Sequence, residues 1–343
     1  MNADLDIVDG RPVLRFEREL AHPPQKVWHA VTDPGEMSHW FPAAVSTELR
    51  IGARMRFDFG EPPAGEAAAG GVEGPDVAEG PDAAPYADGE ILELDPPRVY
   101  AFRWTDELYR LELLPRGAGC LLVFTVTLSG TGTVGDLPSV ARNAPGWDGC
   151  LDALTARLDG QPVPQPTPAW FLAHAEHYVD RFGLGEGTAT TTADGYLLRF
   201  ERDLIQSVPQ VWSCLTGDAG PRAERVPGSC THEHLEAGAI TAVEPPHALA
   251  YGWCHDGVPV GTVRFALREQ EPIGCRLVLT QTVPAGLGGL CATALAAWQA
   301  HLEVLFATLN GATRSPAEGR TAAPAAGYAR RLIGLQPTGP TGD

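Results

Sequence analysis

Leu14-Arg15-Phe16-Glu17-Arg18-Glu19-Leu20 recurs almost unchanged as Leu198-Arg199-Phe200-Glu201-Arg202-Asp203-Leu204. The flanks keep the same offset, since Val27-Trp28 and Thr32 return as Val211-Trp212 and Thr216. A strand followed by a short helix is therefore present twice, and an internal repeat becomes the frame for reading the rest of the chain.

Further blocks repeat in the same order. Gly89 to Trp104, passing through Asp95-Pro96-Pro97, reappears as Gly238 to Trp253 with Glu244-Pro245-Pro246. Each reads as a hairpin. The acidic-Pro-Pro step forbids helix and interrupts a ladder, while Tyr100, Phe102 and Trp104 alternate with Val99, Ala101 and Arg103 as the two faces of a strand. The apolar, β-branched run Cys120 to Leu128 is matched by Cys275 to Val283. Finally Trp147, Leu151, Leu154 and Leu158 stand at helical spacing, and Trp298, Leu302, Leu305 and Leu309 repeat that register, closing on Asp159-Gly160 and Asn310-Gly311. Each unit thus runs strand, short helix, several antiparallel strands and a long amphipathic helix with one apolar stripe for a sheet. That is an α+β domain.

The copies differ in length. Between its first helix and the Gly89 hairpin, the first unit holds Pro34 to Pro42, a strand near Arg54 to Gly60 and a long insert, where the second has only Asp218 to Ala237. The second is predicted to lack a helix and at least one strand. The insert 61–87 is built of Ala, Gly, Pro, Asp and Glu with no cation, a composition that predicts a disordered loop. Gly160 to Pro168 is a proline-rich connector, and Gly183 to Ala193 is the expected hinge. The predicted division is a first domain over 1–186, capped by a helix over 169–182, a shortened second domain over 194–312, and a mostly disordered tail over 313–343 with a short helical segment from Tyr328 to Leu335.

Composition narrows the function. The net charge is −18, Lys26 is the only lysine and no basic patch stands out, which disfavours nucleic-acid phosphates and anionic membrane surfaces. No run approaches the roughly 18 consecutive apolar residues of a membrane span. The acidic, polar start from Met1 to Gly10 lacks the pattern of a signal peptide, so the expectation is a soluble, cytoplasmic protein. Seven scattered cysteines without a Cys-x-x-Cys pair argue for buried thiols rather than a disulfide framework.

Phe16-Glu17-Arg18, the step to Val27-Trp28, Thr32-Asp33-Pro34, His39-Trp40-Phe41-Pro42, the hairpin ending at Trp104 and Gly146-Trp147 with its leucines carry a family likeness. With them the first unit resembles the bacterial branch of the START-like (SRPBCC) superfamily, specifically the domain named after the C-terminal part of the activator of heat-shock protein 90 ATPase. The resemblance covers most of 12–160 and, less the missing segment, roughly 196–311. It implies two tandem helix-grip domains, each a curved antiparallel sheet wrapped around a long C-terminal helix, with an apolar cavity between sheet and helix. One departure matters. Where such domains often place a polar residue near the end of the last strand, this chain has Val126 and Gln281, which predicts a drier first cavity.

The residues expected to line that cavity are Trp40, Phe41, Phe57, Phe59, Tyr100, Phe102, Trp104 and Trp147, against the plainer reading of each as core. Arg54, Arg56, Arg103 and Arg110 are expected to point mainly into solvent, and His22, His29 and His39 lack a partner at a recognisable spacing. Cys230, His232, His234, Cys254 and His255 form the sharpest metal-like set but fit no standard zinc spacing. No nucleotide loop, nucleophile elbow or His-Glu-x-x-His pattern occurs. The expectation is a binding protein for a small hydrophobic molecule, with no catalytic residues, metal or cofactor, and with the second domain as a scaffold or module for a protein partner. Two alternatives stand beside it: a cyclase- or dehydratase-like enzyme for a bulky aromatic or polyketide substrate, and a regulator of the heat-shock protein 90 ATPase.

Overall fold

The computed structural model describes residues 3–59, 87–130, 136–217, 225–270, 274–314 and 322–333. The expected disordered insert lies, but for Ala87, outside the described residues, as do 315–321 and 334–343 of the tail. The chain falls into two compact units, Met1–Leu137 with Gly146–Pro166, and Pro138–Pro145 with Thr167–Asp343.

The first unit contains β1 (Ala3–Val8), β2 (Arg11–Leu20), α1 (Pro24–Thr32), α2 (Pro34–Met37), β3 (Ala44–Thr47), β4 (Arg54–Asp58), β5 (Ala87–Asp95), β6 (Val99–Trp104), β7 (Glu107–Arg116), β8 (Gly119–Thr127) and most of α3 (Val140–Leu158). Its eight antiparallel strands lie in the order β1-β2-β8-β7-β6-β5-β4-β3. The acidic N-terminus is thus a strand: β1 sets Ala3, fully buried, opposite Phe16. Asp33 separates α1 from α2 and caps the latter, its Oδ1 accepting from the Glu36 amide at 3.0 Å. Trp147, Leu151, Leu154 and Leu158 on α3 are each no more than 5% exposed. At roughly 1.5–3 kcal/mol per fully buried large side chain, that stripe outweighs the cost of Pro145 inside the same helix, about 3 kcal/mol.

The second unit contains α4 (Pro168–Phe182), β9 (Thr188–Thr192), β10 (Gly195–Leu204), α5 (Val208–Thr216), β11 (Glu236–Glu244), β12 (Ala248–His255), β13 (Val258–Glu269), β14 (Cys275–Pro284), α6 (Cys291–Leu309) and α7 (Ala322–Leu332). Its sheet has six antiparallel strands in the order β11-β12-β13-β14-β10-β9. Among the described residues nothing matches α2, β3 and β4, and the chain turns through Gly228–Cys230 instead. By length and hydropathy the stretch Ala285–Leu309 would suit a membrane span, but here its helix is a core element. Leu295, Trp298 and Leu302 on α6 are no more than 2% exposed.

Three elements depart from the sequence reading. The helix expected to cap the first domain is α4, which groups with the second unit, where its Glu176 pairs with Arg314. The expected hinge contains β9, whose Thr192 to Thr188 pair with Gly195 to Arg199 of β10. In the tail, α7 begins at Ala322 and buries Tyr328, whose hydroxyl donates to Gln299 Oε1 and accepts from the Gly187 amide, both at 2.8 Å.

Candidate functional site

In the first unit, alternation along β4, β6, β7 and β8 sends aromatic side chains to the helix-facing side of the sheet, where α3 contributes Trp147. Trp104 stacks on Phe57 at 4.6 Å between ring centres, and Phe102 stacks on Tyr109 at 5.1 Å, the residue directly opposite it in the ladder. Trp147 meets Phe124 and Tyr109 edge-on at 5.1 and 5.3 Å, the geometry the ring quadrupole favours. Phe41 comes in from the turn after α2, with Phe57, Phe102, Trp104 and Trp147 all within 6.2 Å of its ring centre. Gly89 makes this packing possible. A Cβ there would lie 2.6 Å from the Phe57 ring and 2.6 Å from the Arg103 carbonyl.

All eight residues singled out from sequence reach this side of the sheet or its rim. Trp40, Phe41, Phe57, Tyr100, Phe102, Trp104 and Trp147 are buried, with the Trp40 indole donating to the Ala30 carbonyl at 2.9 Å. Phe59 is 42% exposed and still stacks on Trp104 at 5.5 Å, so the cluster has one edge open to water. Sequence reasoning missed Tyr109 and Phe124. Tyr109 shares a face with Leu111 and Leu113 against Arg110 and Glu112, an alternation that could have exposed it, whereas Phe124 closes the unbroken apolar run from Cys120, where alternation gives no signal.

The cluster is poor in chemistry. Burial pushes the Tyr100 phenol well up, and its hydroxyl faces Met55 Sδ at 3.8 Å. The Tyr109 hydroxyl donates to the Glu107 carboxylate. Arg110 pairs with Glu93 and Glu112, at 3.3 and 2.7 Å, and Arg103 with Glu90 at 3.7 Å, all on the wetter face, while Arg54 and Arg56 are exposed. His29 and His39 are exposed, and His22 pairs with Asp159 at 2.6 Å, a partner 137 residues away.

The interior of the second unit is built differently. Trp298 takes the place of Trp147, and its indole N–H donates to Gln281 Oε1 at 2.7 Å. The Tyr251 hydroxyl donates to the Cys230 carbonyl at 2.6 Å, and the Trp253 indole to the Thr282 carbonyl at 2.8 Å. The His232 ring stands edge-on to Trp298 at 4.4 Å, and His301 donates from Nε2 to the Ser229 carbonyl at 2.7 Å. Burial, helped by His301 and His234, pushes the His232 pKa down to about 3, and burial lowers that of His301 as well. The weighed Cys and His set does not gather: among the described residues no three His, Cys, Asp or Glu side chains come together to hold a metal. Cys230 instead donates to the Leu215 carbonyl.

An ion pair near the long helix was also missed. Arg18 on β2 gives Nη2 to Asp148 on α3, which is 2% exposed, and stands 3.7 Å from Asp152. The sequence separation of 130 residues hides it.

Residues 21–159, from the step before α1 to the end of α3, match the family model described as Activator of Hsp90 ATPase homolog 1-like protein. That stretch is a domain of this family. The activator-like domain holds all eight of the ring residues expected from sequence, and with the second unit it gives an α+β chain of two helix-grip domains. No curated protein matches the chain. Among solved structures the chain is similar to a conserved protein of unknown function from Enterococcus faecalis, at 17% identity and TM-score 0.39, over 53% of this chain and 91% of that one. It is similar also to CalU16 from Micromonospora echinospora, at 19% identity and TM-score 0.36, over 52% and 94%. A third is DynU16, a protein in the dynemicin biosynthetic locus, at 14% identity and TM-score 0.36, over 87% and 96%.

Proposed function

We propose that the activator-like domain binds a small hydrophobic, ring-bearing molecule between its sheet and α3, and that the second unit serves as an interaction module. The observation that carries this reading is the ring cluster with Phe59 at its open edge: apolar area and π faces are on offer, and a ligand stacking beside Phe59 and Trp104 would bury both further. Phe41 touches most of the cluster from a turn rather than from the sheet, so it is the ring best placed to move when a guest enters.

Binding is favoured over acid–base chemistry because the titratable pair at the ring cluster, the Tyr109 phenol and the Glu107 carboxylate, is engaged in its own hydrogen bond. The second unit's histidines do not supply such chemistry either, since a His232 held near pKa 3 is a weak base at neutral pH. The test is native mass spectrometry of the full chain purified from its own host, followed by titration of the purified protein with 1-naphthol, read by tryptophan fluorescence. A co-purifying apolar molecule that competes with 1-naphthol is the expected result. An empty protein that leaves 1-naphthol unbound at millimolar concentration would overturn the reading.

A further inference from the structure

The second unit has a half-open pocket of about 340 Å³ that takes Leu204 and Leu302 from the edge of the core around Trp298 but none of the polar groups of that interior. Its volume falls at the low end of the roughly 300–1,000 Å³ usual for small-molecule sites. Val179 of α4, Leu204 of β10, and Leu302 and Phe306 of α6 form apolar walls, and Arg202 of β10 supplies a charge.

Arg202 is 9% exposed and takes no carboxylate as a hydrogen-bond acceptor. Nη1 donates to the Leu184 and Glu201 carbonyls, both at 2.9 Å, and Nη2 to the Gly185 carbonyl, with the Phe200 ring 5.7 Å away. This is the repeat counterpart of Arg18, which is answered by Asp148. At the helix position of Asp148 the second unit has Gln299, committed to the Tyr328 hydroxyl. Gln299 remains a neighbour: a Cβ placed on Gly185 would lie 3.8 Å from its Nε2 and 4.0 Å from Arg202 Nη2. Of the four acids of the wall, Asp203 pairs with Arg142 and Arg276 at 2.8 and 3.1 Å, Glu176 pairs with Arg314, and Asp180 and Glu303 add their charge to Arg314. The Tyr328 phenol and the Glu303 carboxylate also act on Arg202 by charge.

We propose that this pocket binds a small carboxylate with an apolar tail, its head on Arg202 and its tail along Leu204, Leu302 and Phe306. A buried cation without a paired anion is costly, and a ligand that brings the anion removes that cost. A guanidinium presents paired donors that match a carboxylate's two oxygens. The apolar walls then select against small hydrophilic acids.

The test is isothermal titration calorimetry on the full chain, with octanoate and octylamine as probes, on wild type, Arg202→Met and Gln299→Asp. Octanoate binds the wild type, and octylamine binds roughly tenfold more weakly or worse. Gln299→Asp restores the pairing seen at Arg18 and weakens octanoate by about tenfold or more, with the thermal midpoint retained. Arg202→Met does the same, and if that variant fails to fold, Gln299→Asp decides. Failure of wild type to bind octanoate at millimolar concentration, octylamine binding as tightly, or octanoate binding unchanged in Gln299→Asp would each overturn the proposal. The last outcome would place octanoate elsewhere, and it leaves the 1-naphthol result in the first unit untouched.

Discussion

Arg18 and Arg202 occupy the same place on the same strand of two similar domains, yet one faces a buried carboxylate and the other three backbone carbonyls. The interiors differ in the opposite sense. Around Trp147 the first unit presents ring against ring, while around Trp298 the second inserts Gln281 and two histidines. The helix-grip frame therefore fixes where a side chain stands but leaves its partner free to change. One unit closed its charge and kept an apolar interior; the other spent polar groups on its interior and left a buried cation beside a pocket.

The sharpest way to break this comparison is to remove the carboxylate. Asp148→Ala should cost the first unit about 3 kcal/mol, because it leaves Arg18 mostly buried and without its anion. Gln299→Ala should cost the second unit well under half of that, since no charge loses its partner. Denaturant unfolding with a probe in each unit would measure both. Equal losses would mean that the Arg18 pair is no more than a polar contact.

A smaller effect separates the units by pH. In the folded chain His232 is neutral, with its pKa pushed from the ordinary 6.5 down to about 3 by burial, with His301 and His234 nearby. The unfolded chain takes up the proton first as pH falls. The stability that His232 contributes is thus fully present above about pH 6.5 and is lost as pH drops toward 3, at up to about 1.4 kcal/mol per pH unit. His232→Phe keeps a ring against Trp298 and should flatten the acid slope of the second unit by that amount, leaving the first unit's slope alone. Unfolding midpoints between pH 6.5 and 4.5 would show it, and matching slopes in wild type and variant would rule out the assignment.

What the sequence reveals follows the range of the interactions involved. The matched hairpins and leucine stripes are local patterns, so both units, both long helices and the missing segment of the second are legible from spacing alone. Strand alternation also places Phe57, Tyr100, Phe102 and Trp104 on one face, and helical spacing places Trp147. The short edge strands escaped: Thr188–Thr192 is polar enough to read as a linker, and it becomes a strand only because β10 offers it a ladder. The side on which α4 packs is equally hidden, resting on contacts such as Glu176 with Arg314, 138 residues apart. Arg202 was in plain view in the repeat. Its significance depends on reading the helix register beside it, where Asp148 becomes Gln299.

The smallest expected effect bears on the first unit's open edge. Phe59 is the one ring of the cluster with substantial exposure, so removing it uncovers little core. Phe59→Ala should therefore change stability by no more than about 0.5 kcal/mol. If the edge beside Trp104 is where a hydrophobic guest enters and stacks, the same variant should weaken 1-naphthol binding several-fold, because the guest loses one of its two ring partners. Fluorescence titration and a thermal melt on the same sample separate the two readings. A loss of affinity at constant stability marks Phe59 as contact surface, whereas a loss of stability with affinity unchanged marks it as the last ring of a closed core, and moves the search for a ligand to the arginine pocket of the second unit.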